Sequence, residues 1–404
     1  MGMKYAALLG RIPSLSMTEL EKFYPDVCRV YAYAPMRESE ENAVENRLVI
    51  FTAEKCPEIR RFGGVLKFGE EIVDGEKGVI DYLNSLPEGK IVLGVSDFRN
   101  RGGKRQAQEE ALRLKRILQR SGRSVRVLEN KDAVLSTATS HHNQLAEKKN
   151  HVEIMLTDVG NFKLIGVQNI TEYAKRDQAR PARDARVGML PPKLAQILIN
   201  RLGELPEGSV ILDPFCGTGV VLQEALLMKY RAFGTDKEPR MVEYSRRNLE
   251  WLSSGKSGIK IPRGASMEFE TETGDATEMD WLGSASLKKL GGKIDGVVAE
   301  VFLGSPMSKV PADIKLKEEK ERCRGILTGF LKNLARQIEQ GTGVVLAVPA
   351  WRRENGEYER LGILDGVEEM GYNLEKFRNS RQEDLLYYRE GQIVAREIIA
   401  LRKK

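Results

Sequence analysis

The run Val210-Ile-Leu-Asp-Pro-Phe-Cys-Gly-Thr-Gly-Val-Val-Leu-Gln-Glu224 constrains this chain more than any other stretch. Three apolar residues, an acidic turn with two glycines and an apolar helical run follow one another without a spacer, the order of a buried parallel strand feeding a helix over a tight turn. Gly217 and Gly219 permit backbone angles that side chains forbid and let the main chain approach a ligand. The helix start beyond them offers N–H groups to a carboxylate. A dinucleotide fingerprint needs a third glycine at position 222, where this chain has leucine. Asp236 closes the next strand, where an acidic side chain can accept both ribose hydroxyls. Gly274-Asp275-Ala276 follows about one strand–helix unit later, in position to accept from an adenine amine. Asp213, Pro214, Phe215, Cys216, Gly217, Thr218, Gly219, Asp236, Lys237, Asp275 and Ala276 are therefore the expected contacts of an adenosine-type cofactor that carries a carboxylate. Any one of them could equally serve a turn or a cap; the joint placement on three successive strand ends is what favours a ligand.

Around this turn, strand and helix patterns alternate as in a parallel sheet: Val210–Leu212, Val220–Met228, Ala232–Gly234, Met241–Leu252, Asp295–Ala299, Ile314–Glu339 and Gly343–Val348. Leu385–Tyr388 and Ile393–Leu401 flank Arg389-Glu-Gly-Gln392 and predict a hairpin that adds an antiparallel strand. An apolar helix over Leu194–Leu202, opened by Pro191-Pro192, marks the start of this part. Before it, strands are expected at Tyr5–Leu9, Val27–Ala34, Leu48–Thr52, Val65–Phe68, Ile91–Val95, Ser124–Leu128, His151–Leu156 and Phe162–Val167, the last two joined by a turn at Gly160-Asn161. Helices are expected at Met17–Phe23 behind a Ser16 cap, Ile80–Leu86, Gln106–Arg120 and Val134–Lys148. The chain of 404 residues exceeds what one core usually supports. The expected division is 1–75, 76–170, a basic linker 171–190, and 191–404.

Cys28, Cys56, Cys216 and Cys323 form no C-x-x-C pair, so neither a disulfide framework nor a zinc site is indicated, and a reducing, cytoplasmic setting is expected. Met1–Arg11 lacks a long apolar run and no stretch of about eighteen apolar residues occurs, so neither a leader nor a membrane span is expected. His141, His142 and His151 stand close in sequence without the carboxylate or cysteine spacing of a metal site. No metal is expected. The net charge is +6. Between Arg99 and Lys131, eleven basic residues stand against three glutamates, a larger excess than that of the whole chain and the footprint expected for phosphate contacts. Arg99, Arg101, Lys104, Arg105, Arg113 and Arg116 carry this expectation, together with Arg180 and Arg183 from a second cluster (Lys175, Arg176, Arg180, Arg183, Arg186) that could also pin two domains together. A solvated helix face is the competing reading of the first cluster.

Asp213–Gly219, Ala225-Leu-Leu-Met228, Gly234-Thr-Asp236 and Asn248-Leu-Glu-Trp251 resemble the catalytic half of the tRNA guanine N-methyltransferases that carry an N-terminal THUMP domain. Tyr173–Asp177, Arg180-Pro181 and Gly188-Met-Leu-Pro-Pro192 resemble the segment joining the two domains in those enzymes. Gly94–Phe98 and Leu135–Ala138 resemble the THUMP domain itself, preceded by a small ferredoxin-like module. The resemblance implies an α/β chain: a Rossmann-like methyltransferase sheet, mostly parallel with an antiparallel C-terminal hairpin strand, preceded by an α/β THUMP-type RNA-binding domain. It also implies S-adenosyl-L-methionine as cofactor, tRNA as partner and methyl transfer to a guanine amine; the oligomeric state is left open by the sequence, with a monomer favoured. A DNA amine methyltransferase and a non-catalytic RNA-binding protein with a retained cofactor fold are the competing functions.

The family's fourth strand ends in Asp-Pro-Pro-Tyr. Here Asp295-Gly-Val-Val-Ala-Glu300 is followed by Val301-Phe-Leu-Gly-Ser-Pro306, so Glu300 stands where the acidic head would be and the prolines and tyrosine are missing. Glu300 is the expected acceptor for a proton of the amine, and Phe302 the expected stacking partner of an extruded base; a turn cap and a core ring are the alternatives. A cysteine nucleophile is disfavoured, because Cys216 lies in the cofactor turn and Cys323 in mid-helix.

Overall fold

The computed structural model describes residues 2–24, 29–30, 47–99, 103–184 and 189–404. It divides into two compact units, Met1–Thr171 and Glu172–Lys404.

The first unit contains β1 (Met3–Leu9), α1 (Pro13–Glu21), β2 (Arg29–Val30), β3 (Leu48–Ala53), β4 (Val65–Ile72), α2 (Gly75–Ser85), β5 (Ile91–Asp97), α3 (Lys104–Arg120), β6 (Val125–Val127), α4 (Thr137–His142), β7 (His151–Thr157) and β8 (Gly160–Val167). A single sheet in the order β2-β3-β1-β4-β8-β7-β5-β6 runs through all of it. The division expected at residue 75 therefore does not divide the sheet, because β4 hydrogen-bonds β8 from Lys67 to Ile72. Every residue of β5 is buried. Its two faces explain this: Ile91, Leu93 and Val95 pack with Val79, Leu83, Ala111, Leu114 and Leu118 of α2 and α3, while Val92 packs with Leu128, Leu135 and Leu145 on the other side.

Three local expectations differ from the structure. Helix α1 starts at Pro13, whose ring presets the first helical turn, so Ser16 lies inside the helix and its hydroxyl donates to the Ile12 carbonyl at 3.3 Å. The helix expected over Val134–Lys148 is only α4, opened by Ser136, whose Oγ accepts from the Thr139 N–H; Gln144 and Ala146 beyond it have positive φ, which no helix continues through. The β7–β8 turn is Asp158-Val159, because Thr157 pairs Gly160 and Asn161 already pairs Leu156. Of the expected strand Val27–Ala34, residues 29–30 are described as β2 and the rest lies outside the described residues, as does Cys28.

The second unit begins within α5 (Ile170–Gln178), whose first two residues belong to the first unit. It comprises α6 (Pro192–Asn200), β9 (Val210–Asp213), α7 (Val220–Leu227), β10 (Arg231–Asp236), α8 (Pro239–Ser253), β11 (Phe269–Thr273), α9 (Ala285–Lys289), β12 (Gly296–Glu300), α10 (Asp313–Leu334), β13 (Gly343–Arg352), β14 (Tyr358–Arg360), β15 (Tyr372–Leu374), β16 (Leu386–Tyr387) and β17 (Val394–Lys403). The sheet order is β11-β10-β9-β12-β13-β17-β15, with β14 on β13 and β16 on β17. β11, β10, β9, β12 and β13 are parallel. β17 runs antiparallel to β13 over nine residue pairs, the reversed strand expected from the C-terminal hairpin. This is a Rossmann-like arrangement, mostly parallel with one reversed strand. The order turns back between β9 and β12, and such a switch point opens a crevice at the carboxyl ends of the strands. Leu222, at the position of the absent third glycine, packs on Gly234 of β10, where an added Cβ would lie 2.4 Å from its Cδ1. The close helix–strand approach thus rests on a strand glycine.

Candidate functional site

The crevice at the switch point is lined by Asp184, Met189, Leu190, Asp213, Phe215, Cys216, Gly217, Thr218, Val220, Val221, Met241 and Glu300 and encloses about 80 Å³. Gly217 and Gly219 both adopt positive φ, 50° and 81°. A Cβ on Gly219 would lie 2.9 Å from Ser245 Oγ, whereas one on Gly217 would meet nothing closer than 3.9 Å. Gly219 is thus fixed by packing, and Gly217 by its conformation beside open space.

Asp213 and Asp236 end β9 and β10, and Asp275 lies two residues beyond β11. Asp213 is 2% exposed, and its Oδ1 accepts from the Phe215 N–H at 3.1 Å. Burial pushes its carboxyl well above the ordinary range, the Phe215 N–H opposes this, and the charges of Asp236 and Glu300 add to it. Asp236 accepts from the N–H groups of Gly217 and Glu238, both at 2.9 Å. Burial raises it too, against those two bonds. Asp275 differs: Lys237 bonds its Oδ2 at 2.7 Å, Thr277 bonds its Oδ1 through both N–H and hydroxyl, and the carboxyl is held down to about 2. Ala276 is buried behind it and Lys237 is exposed.

The set fits an adenosine-type cofactor with an amino-acid tail. It offers carboxylates at Asp236 and Asp213, a glycine beside open space, and the first turn of α7, whose N–H groups have no intrahelical partner. Cys216 is buried and its thiol pushed well above the ordinary value by burial and by Asp213; Cys323 is pushed up to about 12 by burial and Glu319. Neither environment supplies a thiolate, in keeping with the disfavoured cysteine chemistry.

The turn has supports that sequence spacing does not reveal. Ser245 Oγ donates to the Gly217 carbonyl at 2.9 Å, and Asn248 Nδ2 donates to the carbonyls of Thr218 at 2.8 Å and Ala182 at 2.9 Å. Arg180, expected on a nucleic-acid surface, is 3% exposed and donates to Thr218 Oγ1 at 3.0 Å. It supports the cofactor turn, so its assignment as an RNA contact is corrected. Its neighbours are also tied within the second unit: Arg176 meets buried Glu224 at 3.2 Å and lies over the Tyr173 ring, and Lys175 donates to the Gly258 carbonyl. Arg183 donates to the Gln178 carbonyl and remains exposed. Arg186 lies outside the described residues.

Glu300 ends β12 in the crevice wall and is paired with Arg396 of β17, a partner that lies far away in sequence. Phe302 is half-buried against the core, and the Arg322 guanidinium lies 4.6 Å from its ring centroid. One face of the ring is therefore already covered by a cation.

In the first unit, the expected phosphate contacts fall into two groups. Arg99 makes two bonds to Asp97, Arg113 is held by Glu110 and Glu76, and Arg105 pairs with Glu109. Lys104 and Arg116 are exposed and have no ion pair among the described residues. Arg101 lies outside the described residues. His151 Nδ1 lies 2.7 Å from the Asn143 carbonyl oxygen and His141 Nε2 3.1 Å from Thr171 Oγ1, which ties them into the structure of this unit. Among the described residues no group of three or more His, Cys, Asp or Glu is arranged to hold a metal, and no helix is long and apolar enough to cross a membrane.

Comparison with known proteins gives a consistent direction. A family model described as a DNA methylase matches residues 116–247, about a third of the chain. A protein of Methanothermobacter thermautotrophicus named tRNA (guanine(10)-N2)-dimethyltransferase is 31% identical over 175 residues, 43% of each chain. The Methanocaldococcus jannaschii protein of the same name is 36% identical over 92 residues, 23% of this chain and 26% of that one. The chain thus spans less than half the length of these two relatives. The Pyrococcus abyssi protein of that name is 23% identical over 69% of this chain and 73% of its own. Among solved structures, TrmN from Thermus thermophilus covers both chains fully at 18% identity with a TM-score of 0.47.

Proposed function

We propose that this chain, a relative of proteins named as tRNA guanine N2-dimethyltransferases, uses S-adenosyl-L-methionine to methylate the exocyclic amine of a guanine in tRNA. The observation that carries the reading is the meeting of Asp213, the Gly217–Gly219 turn and Glu300 around one crevice at the sheet's switch point. Asp236 would hold the ribose, Lys237, Asp275 and Ala276 the adenine edge, and the Asp213–Gly219 turn with the α7 start the amino-acid end. When bound there, the cofactor supplies an electrophilic methyl group on a sulfonium, a good leaving group, so the protein's task is chiefly alignment. Glu300 accepts an N–H bond from the amine, which orients it and gives its proton a destination. Phe302 offers a ring edge or face to an extruded base, with Arg322 beside it. The first unit is the RNA-binding part in this reading, through Lys104 and Arg116 above all, and Arg183 of the second unit is a further exposed candidate.

The test is transfer of labelled methyl from the cofactor to total tRNA, with duplex DNA as the competing substrate that the DNA-methylase match on residues 116–247 makes worth including. Label in the guanine fraction of tRNA is expected. Label in DNA alone selects the competing enzyme, and cofactor binding without transfer to either sinks the catalytic reading. Asp236→Ala should weaken cofactor binding by roughly 10- to 100-fold, the loss of hydrogen bonding to a charged group worth about 1.5–3 kcal/mol in total. An unchanged cofactor Kd would remove Asp236 from the site.

A further inference from the structure

The Glu300–Arg396 pair joins two strands that are not neighbours. Glu300 of β12 is in register with Ala347 of β13, and Arg396 of β17 with Pro349 of the same strand. Residues in register share a face, and so do positions two apart along a strand. Glu300, Ala347, Pro349 and Arg396 therefore lie on one face, with a whole strand between the charged pair. The two side chains together bridge about two strand spacings, roughly 9–10 Å, over a strand that presents only alanine and proline there. The neighbouring Glu397 faces the other way and is bonded by Arg360 and Gln382, so the sheet separates two ion pairs of the same strand by face.

Arg396 Nε donates to Glu300 Oε1. No bond to Oε2 is present among the described residues, and the Glu300 side chain keeps 16% of its exposure while that of Arg396 keeps 3%. The pair is thus closed on the arginine side and open on the crevice side. We infer that Arg396 is a positioning residue for methyl transfer: it fixes one oxygen of Glu300 and leaves the other to receive the N–H of the acceptor amine. This rests on the methyltransferase reading above.

The charges around Glu300 give the inference a pH signature. Asp213 of β9, Asp184 and Cys216 line the same crevice, Glu319 and Arg322 of α10 face the loop that follows β12, and Arg396 comes from β17. Burial raises the Glu300 carboxyl, and Arg396 opposes that rise. Loss of Arg396 removes the opposing influence, so Glu300 stays protonated to higher pH and the acid limb of the rate profile moves upward.

The experiment compares the parent, Arg396→Met, Arg396→Lys, Glu300→Gln and the Glu300→Gln/Arg396→Met double variant. Single-turnover methyl transfer to tRNA is followed across pH at saturating cofactor, with cofactor Kd and thermal midpoint recorded for each. Arg396→Met is expected to slow transfer by ~100-fold, the scale of a misplaced catalytic group, with its acid limb shifted up and cofactor Kd unchanged. Arg396→Lys should recover part of the rate, and the double variant should be no slower than Glu300→Gln, because the two residues act as one. Parent-like transfer by Arg396→Met, an equal loss at every pH, or losses that multiply in the double variant would overturn the inference and leave the methyltransferase reading standing. If Arg396→Met does not fold, Arg396→Lys decides: a displaced limb supports the role and an unchanged profile overturns it. A parent that binds cofactor but methylates nothing overturns both.

Discussion

The first unit buries Lys67 and Glu153 completely; the second buries Asp213 and half-buries Glu300 at the carboxyl end of its sheet. Lys67 Nζ bonds Glu153 at 2.6 Å and the Leu135 carbonyl at 2.7 Å, while Ser96 and Ser140 bond the two glutamate oxygens at 2.6 Å each. Ser96 also takes the Leu135 N–H. Every oxygen of that carboxylate has a donor, and its charge has a counter-charge. At the ends of β9, β10 and β12, Asp213 and Asp236 are bonded by backbone N–H groups and only Glu300 has a bonded cation, Arg396, among the described residues, and burial raises all three. A compensated buried charge holds β4, β5, β7 and the Leu135 loop together. Undercompensated carboxylates at a switch point are instead the mark of a site waiting for polar groups to arrive.

The largest effect expected from this contrast is on stability. Lys67→Met leaves Glu153 buried without a counter-charge, which costs about 3–5 kcal/mol, or a drop on the order of 10 °C in the first unit's thermal midpoint. Lys67→Met/Glu153→Leu should recover most of it, since no unpaired charge remains. Calorimetry of both variants, with cofactor titration as the control, breaks the comparison if Lys67→Met melts with the parent or if it weakens cofactor binding.

Asp213→Asn should act in the opposite direction. The folded carboxyl is raised, so its contribution to stability is fully present below the unfolded value near about 3.9 and is lost as pH rises through the folded value. At neutral pH the charged form is therefore a burden. Asparagine keeps an acceptor for the Phe215 N–H and removes the charge, so the cofactor-free second unit should gain about 0.5–2 kcal/mol at pH 7, as site residues often permit. Its stability should also depend less on pH than the parent's, while cofactor binding weakens. A melting series from pH 5 to 8 checks both; a destabilised variant would show that Asp213 is a cap and that the crevice resembles the first unit's network after all.

The parts that sequence spacing exposes are those made within one strand–turn–helix step. Asp213, Gly217 and Gly219 lie in one turn, and Asp236 and Asp275 repeat its geometry on β10 and β11. The helix limits were less legible where two signals competed, as when Pro13 outbid Ser16 for the start of α1. What spacing could not expose are partners brought together by the sheet order alone: Arg396 lies 96 residues from Glu300, and only the insertion of β17 beside β13 sets it across from β12. Arg180 was misread for a related reason. A cluster of arginines carries no sign of which member is buried, and the pull of the Thr218 hydroxyl on its guanidinium is a contact across 38 residues.

The same distinction between compensated and uncompensated charge bears on the nucleic-acid surface proposed for α3, where the smallest effects are expected. Arg113 is held by two glutamates, which raise it above its ordinary value, whereas Lys104 and Arg116 on α3 are exposed with no ion pair among the described residues. A phosphate must displace Glu110 and Glu76 to reach Arg113 and displaces only water and counter-ions at Lys104. Lys104→Ala and Arg116→Ala should each lower the slope of log K against log salt for tRNA binding by about 1 or slightly less. Arg113→Ala should lower it by less, because its neutralised charge releases fewer counter-ions. Equal slopes for all three variants would mean that the ion pairs of α3 dissolve when RNA binds. An unchanged slope in Lys104→Ala and Arg116→Ala would make this helix a solvated face and overturn its proposed role in RNA binding.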